Sequence, residues 1–556
     1  MSGNGSTQAR VLRLDPRDNA LVALTNLRKG EIVSFLGNEY TLHSDVPAKH
    51  KFLTLDVNAG GDIIMYGVLV GKAVENLRRG DLLSTRNIRH AAAAFHEPEA
   101  SGVCWAHPDV SSWAQRAFQG YRRDDGQVGT RNYWLVLPLV FCENRNLAVL
   151  KQAFEEELGF AAPQIYRSQV AELARLYREG KSDELKKAAL GDLQRASAAP
   201  KVFQNLDGIK FLLHEAGCGS TREDARNLCG LLAGYIHHPN VAGATVLSLG
   251  CQHAQVPMLL EEIKRRDPHF HKPLLIFEQQ KSPSEAAMLS RAIRETFLGM
   301  VEADKITRQP APLSKLTLAL QCGGSDGFSG LSANPAIGHT ADLVATLGGR
   351  GILSEFPELC GVEQQLIDRC VRKEVADRFA QLMRDYAARA KAVFASFEMN
   401  PSPGNIRDGL LTDAMKSAGA AKKGGTSPVT AALDYPEYST EPGLNLQCTP
   451  GSDVESVSAQ VGAGANIVLF TTGLGTPTGN PIAPVLKLST NSSLAQRMSD
   501  IIDIDTGGII TGETTIERMG ETILERVIQV ASGEARTKAE QLGQDDFIPW
   551  KRGVSL

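Results

Sequence analysis

The spacing of hydrophobic and polar positions changes along the chain. From about residue 10 to residue 90, short apolar runs such as VLRL, ALVAL, EIVSFLG and DIIMYGVLVG alternate with turn residues, which predicts a small all-β domain. From Gly120 onward, apolar strands alternate with amphipathic helices, as in YWLVLPLVF, GIKFLLHEAG and REDARNLCGLLAGYI. This alternation predicts α/β layers built on mainly parallel sheets.

These patterns divide the chain into three folded regions and one linker. We predict an all-β domain over 1–90, a linker over 91–119, and two α/β domains over 120–310 and 311–556. The linker has no sustained period and contains two prolines. The segment 402–428 is rich in Gly, Pro and Lys, so we expect a mobile loop there that closes over an anionic substrate.

Composition excludes several kinds of partner. The 556 residues are 42% apolar and 22% charged, as in ordinary globular proteins. A net charge of -4 gives no broad attraction to phosphate backbones, so we expect no nucleic-acid partner. The longest apolar stretch has nine residues, whereas a membrane-spanning helix needs about 20, so we expect no membrane partner. The polar N-terminus lacks a secretory signal, and we expect a cytoplasmic homo-oligomer.

Four cysteines directly follow apolar, strand-like runs: Cys142, Cys218, Cys251 and Cys322. Ligands bind at the carboxyl ends of strands in open α/β sheets, so the four thiols could converge on one metal site. Thiolates together with His214 suit iron, as Fe2+ or as an iron-sulfur cluster, better than magnesium or calcium. The alternative is that each cysteine is a small buried hydrophobe.

Glycine-rich turns follow other strands and could bind a carboxylate through free N–H groups. The candidate substrate-binding residues are Gly323, Gly324, Ser325, Asp326, Thr471, Thr472 and Gly473, with Lys423 as a counter-charge. None of these turns matches a nucleotide-binding loop, and the alternative is that they are only tight turns. His50, at the start of a β run, is a candidate ionisable group, and the alternative is a structural histidine. Glu355 and Glu358, in LSEFPELCGVE, are candidate active-site carboxylates, and the alternative is that they cap a helix.

Several of these segments together resemble one known family. GYRRDDGQVGTRN, HPNVAGATVLSLGC, QCGGSDGFSGLSANPAIG, NPSPGN, TPGSDVES and FTTGLGTPTG resemble motifs of the altronate dehydratase and galactarate dehydratase family, in order over nearly the whole chain. The N-terminal part, with VPAKHKF, resembles the β-clip (SAF-like) domain shared with sialic acid synthases and antifreeze proteins. SEFPELCGVEQQL and EPGLNL are closer to the altronate branch of the family.

The resemblance implies a hydro-lyase that removes water from a sugar acid, an altronate-type aldonate, to give a 2-keto-3-deoxy acid. It implies an iron cofactor, and the motif cysteines of the family fall on the same four positions. The candidate catalytic residues are then His50, Asn87, His214 and Glu355. The alternatives are a galactarate dehydratase, a dehydratase for another aldarate or aldonate, and a protein that binds a sugar acid without converting it.

The chain also departs from the altronate branch at polar positions. Of the His-X-His-Asn motif of that branch only the asparagine, Asn87, is present, because Ser84 and Arg86 occupy the two histidine positions. The other differences are Met65, Gln252 and Leu474. These differences leave the exact sugar acid open, or they mark a sub-branch whose pocket is built differently.

Overall fold

The computed structural model of the protein describes residues 9–96, 104–161, 165–190 and 200–555. It has a small all-β domain followed by two α/β domains with parallel sheets, which confirms the predicted fold class. Parts of the predicted β domain (1–8) and of the predicted linker (97–103) lie outside the described residues. Within the described residues, no helix is long and apolar enough to cross a membrane.

The N-terminal domain consists of short antiparallel strands in three small sheets, ordered β1-β2-β5, β3-β4 and β6-β7-β8. The strands are β1 (Val11–Leu12), β2 (Ala20–Ala23), β3 (Ile32–Phe35), β4 (Asn38–Thr41), β5 (Lys51–Leu53), β6 (Asp62–Met65), β7 (Val68–Ala73) and β8 (Ile88–Arg89). Strand β2 is buried along its whole length, so it forms the centre of this domain.

The second domain is built on a parallel sheet with the order β12-β11-β13-β14. Its strands are β11 (Tyr133–Pro138), β12 (Gly208–Phe211), β13 (Val241–Ser248) and β14 (Leu274–Glu278). Its helices are α1 (Asn144–Glu157), α2 (Ile165–Arg178), α3 (Ser182–Lys187), α4 (Arg222–His237), α5 (Val256–Arg266) and α6 (Glu285–Ala303). A small antiparallel sheet, β10-β9-β15, joins β9 (Ala117–Arg122), β10 (Val128–Gly129) and β15 (Gln309–Pro312).

The C-terminal domain has a seven-stranded parallel sheet, β18-β19-β17-β16-β20-β21-β22. Its strands are β16 (Thr317–Cys322), β17 (Arg350–Leu353), β18 (Val429–Leu433), β19 (Gly443–Gln447), β20 (Ile467–Thr472), β21 (Val485–Ser489) and β22 (Ile504–Asp505). Its helices are α7 (Ala333–Thr346), α8 (Glu363–Ile367), α9 (Lys373–Ala392), α10 (Pro403–Arg407), α11 (Asp413–Ala420), α12 (Asp453–Gly462), α13 (Ser492–Arg497), α14 (Gly508–Thr511), α15 (Ile516–Ala531) and α16 (Lys538–Leu542).

The central strands explain the long apolar runs of the sequence. Every residue of β13, β16 and β20 is buried, because helices cover both faces of a parallel sheet. A strand that is buried on both sides needs apolar residues at consecutive positions, and not only at alternate ones. Polar side chains therefore collect beyond the carboxyl ends of these strands, in the turns that follow them.

The segment 402–428 is not the irregular loop that its composition predicts. It contains α10, α11 and a short turn of 3-10 helix, Ala421–Gly424, and every residue of α11 is buried. Ser402 and Thr412 cap the two helices by accepting N–H groups of the first turns. The small residues permit close packing, since the Cα of Gly330 would be only 3.3 Å from a Cβ at Gly419. The prediction of a mobile loop is corrected for this reason.

Candidate active site

The candidate active site lies at the carboxyl ends of the neighbouring strands β16 and β17. Strand β16 ends at Cys322, and Glu355 follows β17 after one intervening residue. Because the two strands are parallel and adjacent, their carboxyl ends meet at the same edge of the sheet. The 3-10 turn after α11 brings Lys423 to this edge. Three distant parts of the sequence therefore contribute to one cluster.

Lys423 binds two of the predicted site residues at once. Its Nζ donates to Cys322 Sγ at 2.9 Å and to Glu355 Oε2 at 2.7 Å. The other carboxylate oxygen of Glu355 accepts from Gln321 Nε2 at 2.7 Å. The side chains of Lys423 and Glu355 are each only 1% exposed. A buried charge needs such partners, because an isolated ion in this place would be very costly.

A second lysine–carboxylate pair lies beside the first. Lys416 Nζ donates to Glu358 Oε1 and to Asn400 Oδ1, each at 2.7 Å. The second carboxylate oxygen of Glu358 is 3.8 Å from Cys322 Sγ. The thiol of Cys322 thus connects the two ion pairs.

Asp453, the first residue of α12, is the half-buried member of the cluster. A Cβ atom at Gly323 would come within 2.3 Å of its carboxylate, and one at Gly451 within 2.6 Å of the Asn400 amide. The two glycines therefore leave the space that these polar side chains occupy. Asp453 is the acid through which the buried pairs approach solvent.

Glu355 is held in a strained backbone conformation. Its φ of 64° lies in the left-handed region, which costs a residue with a side chain about 1–2 kcal/mol. Its N–H donates to Thr449 Oγ1 at 2.9 Å, and this bond helps to hold the conformation. Such strain is concentrated where the surrounding structure fixes a functional side chain.

The buried cluster contains a carboxyl group that titrates near neutral pH beside a charged lysine. Burial raises the pKa of Glu355 to about 7, with repulsion from Glu358 adding to the effect and Lys423 opposing it. Burial also raises the pKa of Asp453 to about 6 and that of the Cys322 thiol to about 12. Burial lowers the pKa of Lys423, but its anionic neighbours outweigh this, so the lysine stays protonated.

The two glycine-rich turns pack against each other. Gly323 N–H donates to Thr471 O, and Gly473 N–H donates to Gly324 O, both at 3.0 Å. The N–H groups of Gly324 and Ser325 donate to no group in the described part of the chain. These two amides are therefore the ones available to a substrate carboxylate.

The two threonines predicted to bind substrate instead have internal partners, in helix α7 for Thr471 and in the turn after β20 for Thr472. Thr471 Oγ1 donates to Asn334 Oδ1 at 2.6 Å. Thr472 Oγ1 accepts the N–H groups of Gly475 and Thr476 at 2.9 Å and 3.1 Å. Both threonines are completely buried. Their hydroxyl groups have internal partners, so the structure does not support direct contacts to a substrate.

Asp326 likewise has internal partners and connects two domains. Its carboxylate is completely buried and accepts from Thr490 Oγ1 at 3.0 Å. It also pairs with Lys49 Nζ of the β domain at 3.0 Å, and the same lysine binds Asp408 at 2.9 Å. The predicted role of Asp326 in substrate binding is replaced by a role in joining the β domain to the C-terminal domain.

His50 lies at this joint between the two domains. It stands between Lys49 and Lys51, and the buried Nζ of Lys51 donates to Gly409 O at 2.6 Å. The His50 side chain is half-buried, its Nδ1 is 3.3 Å from Ala48 O, and burial lowers its pKa. The structure places His50 beside the C-terminal domain, and its catalytic role remains a prediction.

Two other predicted catalytic residues have structural contacts. His214 is buried, with Nε2 2.9 Å from Pro138 O, while its Nδ1 accepts the Ala216 N–H at 3.2 Å. Burial lowers the pKa of His214 to about 4, so the ring is neutral at physiological pH. Asn87 uses both its amide oxygen and its amide nitrogen to bind backbone groups of its own turn. The polar atoms of both side chains are bonded to backbone groups, and their catalytic roles remain predictions.

The four predicted iron ligands do not form one site. Cys142, Cys218 and Cys251 are exposed, on the loops that follow β11, β12 and β13. Cys322 is buried and bound to Lys423 in the other α/β domain. Among the described residues, the groups of three or more ligand atoms within 4.8 Å of one another are Asp125, His237 and Asp267, and Cys322, Glu355 and Glu358.

The second of these groups does not suit an iron ion as it stands. Cys322 and Glu355 both accept hydrogen bonds from the Lys423 ammonium, and Glu358 accepts one from Lys416. A cation between these ligands would face two positive charges at hydrogen-bond distance. The lysines already neutralise the group that a metal would need.

The three exposed cysteines suit iron better by their chemistry. Their loops are joined by backbone hydrogen bonds, from Phe141 N–H to Ala216 O at 3.1 Å and from His253 N–H to Gly217 O at 3.0 Å. Soft thiolates are the ligands of iron-sulfur clusters. A single ion, with metal–sulfur bonds of about 2.3 Å, would need the sulfur atoms closer together than they are.

The residues that differ from the altronate branch lie in separate places. Met65 is part of the β-domain core. Gln252 is buried, and its amide binds groups within its own turn. Leu474 is half-buried in the turn after β20, while Ser84 and Arg86 lie in the turn that Asn87 stabilises.

Sequence reasoning missed several members of the cluster, namely Gln321, Asn400, Lys416 and Asp453. Gln321, Asn400 and Asp453 lie inside the motifs QCGG, NPSPGN and TPGSDVES, so the presence of a polar residue in each motif was the available signal. Lys416 had no such signal, because its helix falls in the segment that was predicted to be a loop.

Three family models match the chain in consecutive order. They are the SAF domain of altronate/galactarate dehydratases over 9–91, the second domain of D-galactarate dehydratase/altronate hydrolase over 120–304, and the C-terminal domain of D-galactarate/altronate dehydratase over 313–555. The chain belongs to this family of dehydratases.

Individual relatives agree with this assignment. The chain is 31% identical to the altronate dehydratase of Escherichia coli, over 98% of its own length and all of that protein. It is 31% identical to the galactarate dehydratase (L-threo-forming) of the same organism, over 90% of its length and 88% of that protein. It is also 30% identical to the (2R)-sulfolactate sulfo-lyase subunit beta of Chromohalobacter salexigens, over 78% and 97% of the two chains.

Proposed function

We propose that the protein is a hydro-lyase that converts an altronate-type aldonate into a 2-keto-3-deoxy acid and water. The observation that carries the proposal is the buried contact of Glu355 with Lys423. A proton on the carbon beside a carboxylate is very weakly acidic, so its removal needs a base and nearby positive charge. Glu355 and Lys423 supply both, and the similarity to altronate and galactarate dehydratases supports a sugar acid as the substrate.

The cluster offers a role for each step of the reaction. The amides of Gly324 and Ser325 bind the substrate carboxylate. Glu355 removes the proton from C2, while Lys423 stabilises the negative charge that develops on the carboxylate. Asp453, on the solvent side, donates a proton to the hydroxyl group that leaves C3 as water. The resulting enol then rearranges to the 2-keto acid.

The test of this function is an assay of a substrate panel with a matched pair of variants. Altronate and related aldonates should give a 2-keto-3-deoxy acid, and Glu355→Gln should lower kcat by about 10²- to 10⁴-fold. Glu441→Gln changes an exposed glutamate of the same domain and should leave kcat unchanged. Full activity of Glu355→Gln would contradict the assignment of the base.

The panel also separates the competing functions. Faster conversion of galactarate would indicate an aldarate dehydratase, and sulfite release from a 3-sulfo-2-hydroxy acid would indicate the reaction named for the Chromohalobacter salexigens relative. Binding of a sugar acid without any product would indicate a binding protein. A homo-oligomer and a cytoplasmic location remain predictions from the sequence.

Iron is proposed as the cofactor, held as a cluster by Cys142, Cys218 and Cys251. Bound iron would act as a Lewis acid toward substrate oxygens. Cys322 is left out of the ligand set, because its thiol is bound to Lys423 in the other domain.

Single Cys→Ser variants test this ligand set. Serine binds iron much more weakly than a thiolate, so Cys218→Ser and Cys251→Ser should lose iron and inorganic sulfide after anaerobic purification. Cys322→Ser should keep its iron but lose activity, and Cys370→Ser, on the turn before α9, should keep both. Iron content, measured apart from turnover, decides the outcome. A normal iron content in Cys218→Ser and Cys251→Ser would contradict the proposal that these cysteines bind the iron.

A further inference from the structure

A fully buried acid, Asp413, lies behind the candidate site. It is the first residue of α11 and has no exposed surface. Neither of its carboxylate oxygens accepts a hydrogen bond from an N–H or O–H group of the described residues. Its polar contact is the thiol of Cys360, which is a weak donor. None of the roles proposed above uses this acid.

The surroundings of Asp413 contain more acids than bases. The carboxyl groups are the buried Glu355, Glu358, Glu363 and Asp413 and the half-buried Asp453, and the buried lysines beside them are Lys416 and Lys423. Each lysine is already paired with one glutamate. An ionised Asp413 would thus be a buried charge without a partner, whereas a protonated one is tolerated.

The charge of Asp413 bears on the ion pair between Lys416 and Glu358, because Lys416 lies close to Asp413 on the same helix. Lys416 follows Asp413 by three residues on α11, so the two side chains lie on the same side of the helix. The lysine nevertheless binds Glu358 and Asn400 and makes no ion pair with Asp413. An ionised Asp413 would compete with Glu358 for this ammonium group.

We propose that Asp413 is a positioning residue that remains uncharged in the working enzyme and thereby leaves Lys416 free to bind Glu358. Loss of the Asp413 proton draws Lys416 away from Glu358 and disorganises the cluster around Cys322. The effect on catalysis rests on the proposed function. The uncharged state of Asp413 does not, because it follows from burial and missing partners.

The charged groups around Asp413 favour this state. Glu358, Cys360 and Glu363 face it from the segment after β17, Lys416 from its own helix, and His90 of the β domain binds the next residue. Burial, together with repulsion from Glu358, raises the pKa of Asp413 to about 8, although Lys416 and Cys360 oppose the rise. The first turn of a helix favours a negative charge, but this effect is small beside complete burial.

The first experiment measures stability and needs no substrate. Asp413 has a pKa of 3.8 when unfolded and about 8 when folded, so between these values only the folded chain holds the proton. Rising pH then favours unfolding by up to tenfold in the equilibrium constant per unit. We expect the unfolding midpoint of the wild type to fall relative to Asp413→Asn as the pH is raised from about 5 to about 8. Parallel curves would show an ionised Asp413 and overturn the proposal.

The second experiment tests the positioning role. Asp413→Asn imitates the uncharged acid, so it should keep kcat at neutral pH, and its kcat should fall less steeply above about pH 8 than that of the wild type. Glu363→Gln is the matched control, a neighbouring buried acid that binds Gly361 N–H and should leave the alkaline limb in place. An unchanged alkaline limb in Asp413→Asn would overturn the role. If Asp413→Asn does not fold, Asp413→Ala replaces it in both experiments, with the same expected outcomes.

Discussion

At the scale of single residues, the sequence identified several members of the site but not their contacts. From the sequence, Glu355, Lys423 and Cys322 have three different predicted roles, as catalytic acid or base, counter-charge and iron ligand. The structure joins them in one hydrogen-bonded group. Residue type and strand position indicate which side chains reach the edge of a sheet, but not which of them pair there.

The two predicted histidines also show that the sequence does not indicate the contacts of a side chain. Each follows or begins a strand-like run, which is all that a single sequence displays. His214 turns inward and uses both ring nitrogens for backbone groups, while His50 remains half-buried at a domain joint. The difference depends on the strands that surround each ring, and these come from distant parts of the chain.

The raised pKa of Glu355 predicts a pH dependence of the reaction. A general base must be ionised, and burial raises the pKa of Glu355 from 4.5 to about 7. The general acid Asp453, whose pKa is about 6, must in turn be protonated. We therefore expect kcat/KM to rise about tenfold per pH unit below about 6 and to fall above about 7. A rate profile of the wild type between about pH 5 and about pH 8 checks this. An acid limb near pH 4.5 would mean that Glu355 is not the base or is not buried in the free enzyme.

At the scale of secondary-structure elements, the apolar runs located most of the strands. Runs of consecutive apolar residues became the buried strands β11, β13, β16 and β20. The failure was the segment 402–428, whose Gly, Pro and Lys content predicted a loop although the segment also contains many small Ala and Ser residues. Here these small residues serve close packing of α11, a tertiary requirement that composition cannot distinguish from flexibility.

The turn after β16 depends on a glycine with a normal φ, and this gives a test of the site. A Cβ at Gly323 would lie 2.3 Å from Asp453 Oδ2, closer than any non-bonded contact. Gly323→Ala should therefore displace Asp453 and lower kcat by about 10²-fold or more, the value of one lost acid. The unfolding midpoint should change much less, since Asp453 is half-buried and free to move toward solvent.

Gly208→Ala is the control for this variant. A Cβ at Gly208, in β12, would be 3.6 Å from the Tyr133 ring, an ordinary van der Waals distance. It should leave kcat unchanged. If Gly323→Ala also keeps full activity, Asp453 does not act as the acid in the reaction.

At the scale of the whole molecule, the contacts between domains were beyond the reach of the sequence. The C-terminal residues 544–553 run between the two α/β domains, with Asp545 bound to Lys210 and Ile548 N–H bound to Ser458. The β domain meets the C-terminal domain through Lys49, which lies 359 positions from Asp408. Such pairs have no local pattern, because each partner is an ordinary charged residue in its own segment.

The joint at Lys49 predicts how the β domain contributes to activity. Lys49 pairs with Asp326, which is completely buried and belongs to the same turn as the free amides of Gly324 and Ser325. Lys49→Met removes this partner and leaves the Asp326 charge buried, so we expect a loss of about 3 kcal/mol in the free energy of unfolding. Because the turn and His50 both move, kcat should fall as well. Urea unfolding and steady-state kinetics measure the two effects.

The comparison variant is Lys72→Met, which removes an exposed lysine paired with Asp62 inside the β domain. An exposed pair contributes little, so this variant should unfold and react like the wild type. The double variant Lys49→Met/Asp326→Asn removes both charges of the buried pair, and it should recover part of the lost stability because no unpaired charge remains. It should not recover kcat if the joint is what places His50 beside the substrate turn. Full activity in Lys49→Met would instead mean that the β domain adds stability alone, and that His50 takes no part in the reaction.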